Sequence, residues 1–392
     1  GWHYVVRVQG QTHYQTCQGQ EGSTDQLVQQ RNQRRKLRGL AFKKAGWREV
    51  SVIVWWGRDH AQPLCLVSDL PPDFALVLLY RRRYAIETSF RDFKTYGNYA
   101  YGSADEGVEG LLIFNLSNLP NSVTMTRDSV TFQRAHNIYI DEKNGKLYVA
   151  GSNTRNNGLI VYDLAANPAN PPVCGSVNLH TTSPNGYVHD VHVVDNIAYC
   201  NHIYNNQGLR VYDFTNCTAP VQLGSLAGYP TAGYNHSGWL SPDKNYYVMA
   251  DETHGSPLKY VNVSNVNDMQ ITDYFNSSLI GGNPNPGSIV HNPFILGNKI
   301  FCAYYHDGVQ VFDRSKPNDV TKIAWYDTYT NSDYNGYYGA WGVYPYLPSG
   351  RIIASDILNG FHLLSLSPPF IKVDQFGYLP NARKVAVVSD PQ

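Results

Sequence analysis

The sequence predicts an all-β-dominated chain: a β-propeller of about five to six four-stranded repeats, incomplete relative to a seven-bladed form and preceded by a small α+β segment. Three observations predict it. An apolar six-residue phrase, mostly opened by Gly and closed by Asp, Asn or Ser, returns at 110–115, 158–163, 208–213, 257–262, 308–313 and 360–365. Its closing residues Asn115, Asp163, Asp213, Asn262, Asp313 and Ser365 are separated by 48, 50, 49, 51 and 52 positions, the period of one propeller blade. Five of the phrases follow a strand–turn–strand pattern whose turns hold Asn144-Gly145, Asp195-Asn196, Pro242-Asp243-Lys244, Gly297-Asn298 and Pro348-Ser349-Gly350, all good turn formers. Composition agrees: 33 Gly and 30 Tyr stand against 3 Met, and charged residues make up only 16%, a balance that favours strands over helices.

The period divides the chain into 1–96, 97–366 and 367–392. In the first segment, strands are expected at Trp2–Val8 and Val50–Trp56, with a basic, Gln-rich loop between them at Gln29–Arg38. A helix is expected over Leu78–Phe93, because Tyr80, Arg83, Glu87 and Lys94 recur at spacings that share one helix face. A surface helix with an Arg–Glu pair satisfies that pattern. The net charge of zero hides an asymmetry: residues 1–99 carry 15 Lys+Arg against 8 Asp+Glu, and the remainder 16 against 23. The two parts therefore need not share a partner.

The Tyr80, Arg83, Glu87, Lys94 signature, with the opening strand GWHYVVRVQG, resembles the C-terminal part of a large group of DDE-type insertion-sequence transposases. That resemblance implies that Glu87 is the third carboxylate of a two-metal site, which needs partner carboxylates. The family's two Asp residues would precede Gly1, so the segment is expected to be an inactive remnant. Residual nonspecific DNA binding through Arg31, Arg34, Arg35, Lys36 and Arg38 is the minor reading, and nucleic acid is not the expected partner.

In the repeat segment, each unit is expected to hold four strands, the fourth at runs such as Val173–Val177, Gln222–Leu226 and Lys322–Asp327. His136, His189, His236 and His291 head the first strand of successive units, with gaps of 53, 47 and 55, and Trp341 lies near that slot in the next unit. Inner strands of a propeller line its channel, so equivalent residues converge on the axis. Four neutral imidazoles there suit one divalent metal ion. A row of His bonded to channel water and backbone is the alternative. Asp190, His192, His202, Asp251, Glu252, His306 and Asp356 are candidates to orient ligands or take protons.

These stretches (AHNI at 135–138, YVHD at 187–190, NHSGW at 235–239, ADE at 250–252, VHN at 290–292 and GAWGVYP at 339–345) resemble the choice-of-anchor B family of secreted bacterial repeat proteins. The resemblance implies a propeller held at the cell surface. It brings no reaction with it, and its ring is the seven-bladed form, so missing blades would leave open sheet edges. The tail reads as two strands around a turn at Leu379–Ala382. Its Val373-Asp-Gln and Gly377-Tyr-Leu-Pro resemble the start of the immunoglobulin-like module of family 9 cellulases, without any catalytic residue.

Six cysteines without CxxC spacing argue against a cysteine zinc site and leave their pairing open. No apolar run is long enough for a membrane span, and the N-terminus reads as cut, with no signal peptide. The sequence as a whole reads as a chimera. Its main expectation is an extracellular or cell-surface propeller that binds a surface ligand, protein or glycan, with no assignable catalysis. The alternatives are a metal-dependent enzyme built on the His-lined channel and an inactive transposase-derived DNA-binding remnant.

Overall fold

The computed structural model describes residues 5–8, 10–58, 62–81, 93–179, 186–203, 208–278, 285–329, 331, 333–366, 370–372 and 387–389. The chain divides into two compact units, Gly1–Ser89 and Phe90–Gln392.

The first unit is a six-stranded antiparallel sheet with one short helix, Ala75–Arg81. Its central strands alternate: Val50, Val52 and Val54 bury one face with Cys65 and Val67, while Ile53 and Leu66 meet Leu76 and Val77 of the helix on the other. This departs from the sequence reading in two places. The basic stretch is a strand, Arg34–Ala41, paired along its length with Arg48–Trp55. Its cations are occupied: Arg34 lies 4.6 Å over the Phe74 ring, Lys36 is 3.8 Å from Asp73, and Arg38 is 3.1 Å from Glu49. The helix is shorter and earlier than expected. Tyr80 lies in it, Arg83 and Glu87 fall outside the described residues, and Lys94 sits on a strand, Phe93–Tyr96. Lys94 therefore does not extend a helix face with Tyr80.

The second unit is a β-propeller. Five four-stranded antiparallel sheets and one three-stranded sheet follow one another as blades 1 to 6. Their inner strands are Phe93–Tyr96, Asn137–Asp141, Tyr187–Val194, Asn235–Leu240, Pro293–Leu296 and Ala340–Tyr344, each packed beside the next. Blade 1 begins at Phe93 rather than 97, because its inner hairpin, Phe93–Tyr96 with Tyr99–Gly102, starts before the first recurring phrase and lies partly within the segment 1–96. It is complete. Among the described residues the last blade has three strands, Ala340–Tyr344, Arg351–Asp356 and Gly360–Ser365.

The recurring phrase is the third strand of every blade, and both of its ends have local causes. At the opening, Gly208 and Gly308 have φ of +61° and +74°, and a Cβ would stand 2.1 and 2.2 Å from the carbonyls of Leu226 and Tyr326 on the fourth strand. At the close, Asn115, Asp213, Asn262 and Asp313 each accept the backbone N–H two residues on, at 2.7–3.0 Å. Those are Asx turns, which reverse the chain toward the fourth strand. The bonds from Thr215 and Ser315 hold the Asp213 and Asp313 carboxyls below their usual range.

Apolar clusters fill the seams between blades. Leu111, Ile138, Leu147 and Ile160 join blades 1 and 2; Tyr199, Leu209, Tyr247 and Met249 join blades 3 and 4. A disulfide between Cys174 and Cys217, Cα atoms 5.6 Å apart, links the outer strand of blade 2 to the turn after the third strand of blade 3. In the tail, Phe370–Lys372 pairs with Val387–Ser389; the turn expected between them lies outside the described residues. Among the described residues, no helix is long and apolar enough to cross a membrane.

Candidate metal centre in the propeller channel

The four histidines of the repeat stand in one row. Their ring centroids are 3.9 Å apart from His136 to His189, 4.2 Å from His189 to His236, and 4.3 Å from His236 to His291. A break in strand register places them. In blade 3, Val188 pairs with His202 and Asp190 with Asn201, so His189 is an extra residue; His236 and Trp341 are skipped in the same way in blades 4 and 6. In blade 5, His291 donates its N–H to Ala303 while Ala303 donates to Asn292, again two residues against one. A bulge bends the strand and re-aims its side chain, and its recurrence sends successive imidazoles to one place.

Three of the four rings, His189, His291 and His136, are oriented by a partner at Nδ1. His189 Nδ1–H donates to the carbonyl oxygen of His236 at 3.0 Å, and His291 Nδ1–H to that of Trp341 at 2.5 Å. A carbonyl can only accept, so these bonds fix the tautomer and leave the Nε2 lone pair inward. His136 Nδ1 lies 2.8 Å from Asp105. Glu252 enters the row from blade 4: one carboxylate oxygen is 3.7 Å from His236 Nε2, the other 3.8 Å from His291 Nε2. The Tyr305 hydroxyl donates to Glu252 at 2.6 Å. Two overlapping triads result, His136–His189–His236 and His236–Glu252–His291, the ligand atoms of each within 4.8 Å of one another. Ligands 2.0–2.2 Å from a tetrahedral ion stand about 3.4 Å apart, so the second triad needs only small shifts to close on one. Trp341 stacks against His291 at 5.6 Å and ends the row.

Of the seven residues expected around this row, Glu252 alone joins it among the described contacts. Asp251 is turned away into a buried network with Lys259 at 3.0 Å, Tyr229 and Asn235. Asp356 accepts the backbone N–H groups of Leu358 and Asn359. His306 donates to the Asn335 carbonyl at 3.2 Å, among Tyr329 and Tyr334. Asp190 accepts from Asn137 at 2.7 Å, and burial raises its pKa against the hydrogen bond from the Val191 N–H. His192 and His202 are buried and pushed down to about 3 by desolvation, so both are neutral. Asp105 was not foreseen: it lies in the connection between the second and third strands of blade 1, the connection that carries Glu252 in blade 4.

Three positions beyond the His slot, the same inner strands carry Tyr139, His192, Trp239 and Phe294. Their rings also meet in succession, with centroids 5.1, 4.2 and 4.7 Å apart. Tyr139 of blade 2 reaches Trp239 of blade 4 at 6.3 Å, so this row too converges between non-adjacent blades.

No family model matches the chain, and no curated protein matches it. Solved structures do match in fold. The periplasmic gluconolactonase PpgL of Pseudomonas aeruginosa is 11% identical, with a TM-score of 0.50, over 70% of this chain and 83% of its own. A functionally unknown protein from Desulfotomaculum acetoxidans is 10% identical at 0.51, over 81% and 96%. Sqt1 of Chaetomium thermophilum is 13% identical at 0.52, over 84% and 79%. At such identities the likeness establishes the propeller and nothing of its chemistry.

Proposed function

We propose that this protein is a metal-binding propeller of the bacterial exterior, which holds one divalent transition-metal ion in its channel through His236, Glu252 and His291. The observation that supports it is the donor set: His291 held at Nδ1 by the Trp341 carbonyl, the buried His236 beside it, and one carboxylate braced by Tyr305. Two His and one carboxylate are a common set for zinc, iron and their neighbours. His136 and His189 extend the row and offer the ion a second position. The exterior location rests on the choice-of-anchor B resemblance. The Cys174–Cys217 bond favours it, since structural disulfides persist in oxidising compartments. A bound ion would supply a Lewis acid or a bridge to a ligand's oxygen atoms, with Glu252 beside it as a proton acceptor.

Titration of the purified, chelator-treated full chain with Zn²⁺, followed by calorimetry, tests this. One ion per chain is expected, with affinity falling below about pH 6.5 as imidazoles protonate. Co²⁺ should give the intense visible bands of a four-coordinate ion. No saturable binding at pH 7.5 would overturn the proposal.

A further inference from the structure

A second site lies at the other end of the inner strands. A cavity of about 300 Å³ opens where Trp239, His192 and Tyr346 meet Ile295, Leu296 and Lys244. Its volume is at the small end of ligand pockets, and it is separate from the His row.

The lining states what it can hold. Its charge is already spent, because the Lys244 ammonium pairs with Asp195 at 2.5 Å. The Tyr346 hydroxyl donates to the Ile295 carbonyl at 2.7 Å. The Ser241 hydroxyl donates to Asp243 and accepts from the backbone of Tyr246. What is left is His192. Only 4% of its surface is exposed, its Nδ1 has no hydrogen-bond partner among the described residues, and its ring contacts are Tyr139 and Trp239. A buried nitrogen without a partner costs stability, and a fourth aromatic ring in this row would avoid that cost, as Tyr139, Trp239 and Phe294 do in the neighbouring blades. His192 therefore brings a second polar edge, beside the Trp239 indole N–H, to a wall that is otherwise apolar or already bonded.

We infer that this cavity binds a small neutral aromatic molecule bearing one hydrogen-bonding group, of the phenol or indole class, with its ring against Trp239 and Tyr346 and its polar group on His192. A charged ligand finds no unpaired charge there. A polyhydroxylated sugar finds two polar side-chain partners, His192 and the Trp239 N–H, for several hydroxyls, which leaves the rest unsatisfied.

Saturation-transfer NMR with phenol and with indole on the full chain tests it, with glucose as the contrasting probe. Transfer to both aromatic probes and none to glucose is expected. Trp239→Ala should abolish it. His192→Phe, which makes the row uniformly aromatic and keeps its packing, should weaken phenol binding about tenfold. Both variants should keep the wild-type Zn²⁺ titration, which reports on the folded channel at its other end. Equal transfer in His192→Phe, or transfer to glucose as strong as to phenol, would overturn the inference.

Discussion

The His slot and the position three residues further on lie on the same inner strands and converge in the same channel, yet they are built for different ends. In the first row, His189 and His291 are tied through Nδ1 to the next blade's backbone and His136 to a carboxylate, which sets the orientation of each of these rings. Side chains in the second row touch through ring faces and edges. Each row has one exception. Trp341 takes a His slot and closes the polar row; His192 takes an aromatic slot and puts a polar group into the apolar one. A repeat supplies equivalent places, and single substitutions within it decide what each place does.

The sharpest way to break this comparison is to remove the one residue that both triads share. His236→Ala should lower Zn²⁺ affinity by more than about 100-fold, beyond the 10–100-fold typical of outer-shell changes. His136→Ala should cost less, because His236, Glu252 and His291 remain. Calorimetric titration of the two variants decides it; equal losses would mean that the row acts as a whole, without a preferred triad.

The second row responds to acid instead. Burial holds His192 at about 3, while an unfolded chain protonates it near 6.5. Between those values the unfolded state binds the extra proton, so the stability that depends on a neutral His192 is complete above pH 6.5 and is lost as pH falls. The slope is about 1.4 kcal/mol per pH unit, or about 2 kcal/mol by pH 5. His192→Phe should remove this contribution. Urea denaturation of both proteins from pH 7.5 to 5 should show the variant gaining on the wild type by that amount; parallel profiles would show that His192 charges in the folded state.

How far these rows were legible from sequence follows from what repeats and what does not. The closing Asp and Asn residues and the opening Gly recur because blade after blade uses the same turn and the same close approach of strand three to strand four. The His row was visible for the same reason, since a bulge at a fixed place leaves a fixed spacing. Asp105 stands three residues past the second strand of blade 1, whereas Glu252 directly follows that of blade 4, so no fixed spacing marked it. Asp251 and Glu252 are adjacent in sequence, and only the side to which each points separates a buried ion pair from a channel ligand. The inner hairpin of blade 1 was hidden because Lys94 completed a helix-like spacing with Tyr80, Arg83 and Glu87, while its strand pairing with Tyr101 shows only in three dimensions.

The smallest expected effect concerns what braces the first row. Tyr305 touches no metal in the proposed site; its hydroxyl donates to Glu252 at 2.6 Å, and its ring lies 4.8 Å from that of His291. Tyr305→Phe keeps the ring and removes the bond. Glu252 then loses a donor that fixes its rotamer, and an ion must order the carboxylate itself. The expected loss is about tenfold in Zn²⁺ affinity, at the low end for outer-shell partners, or about 1.4 kcal/mol. A purely structural role would lower the unfolding midpoint and leave affinity unchanged. A positioning role lowers affinity at constant stability, and Tyr305→Phe should then have little effect in a Glu252→Gln background, where the carboxylate it orients is already gone. Additive losses in that double variant would show that Tyr305 acts through the His291 ring instead.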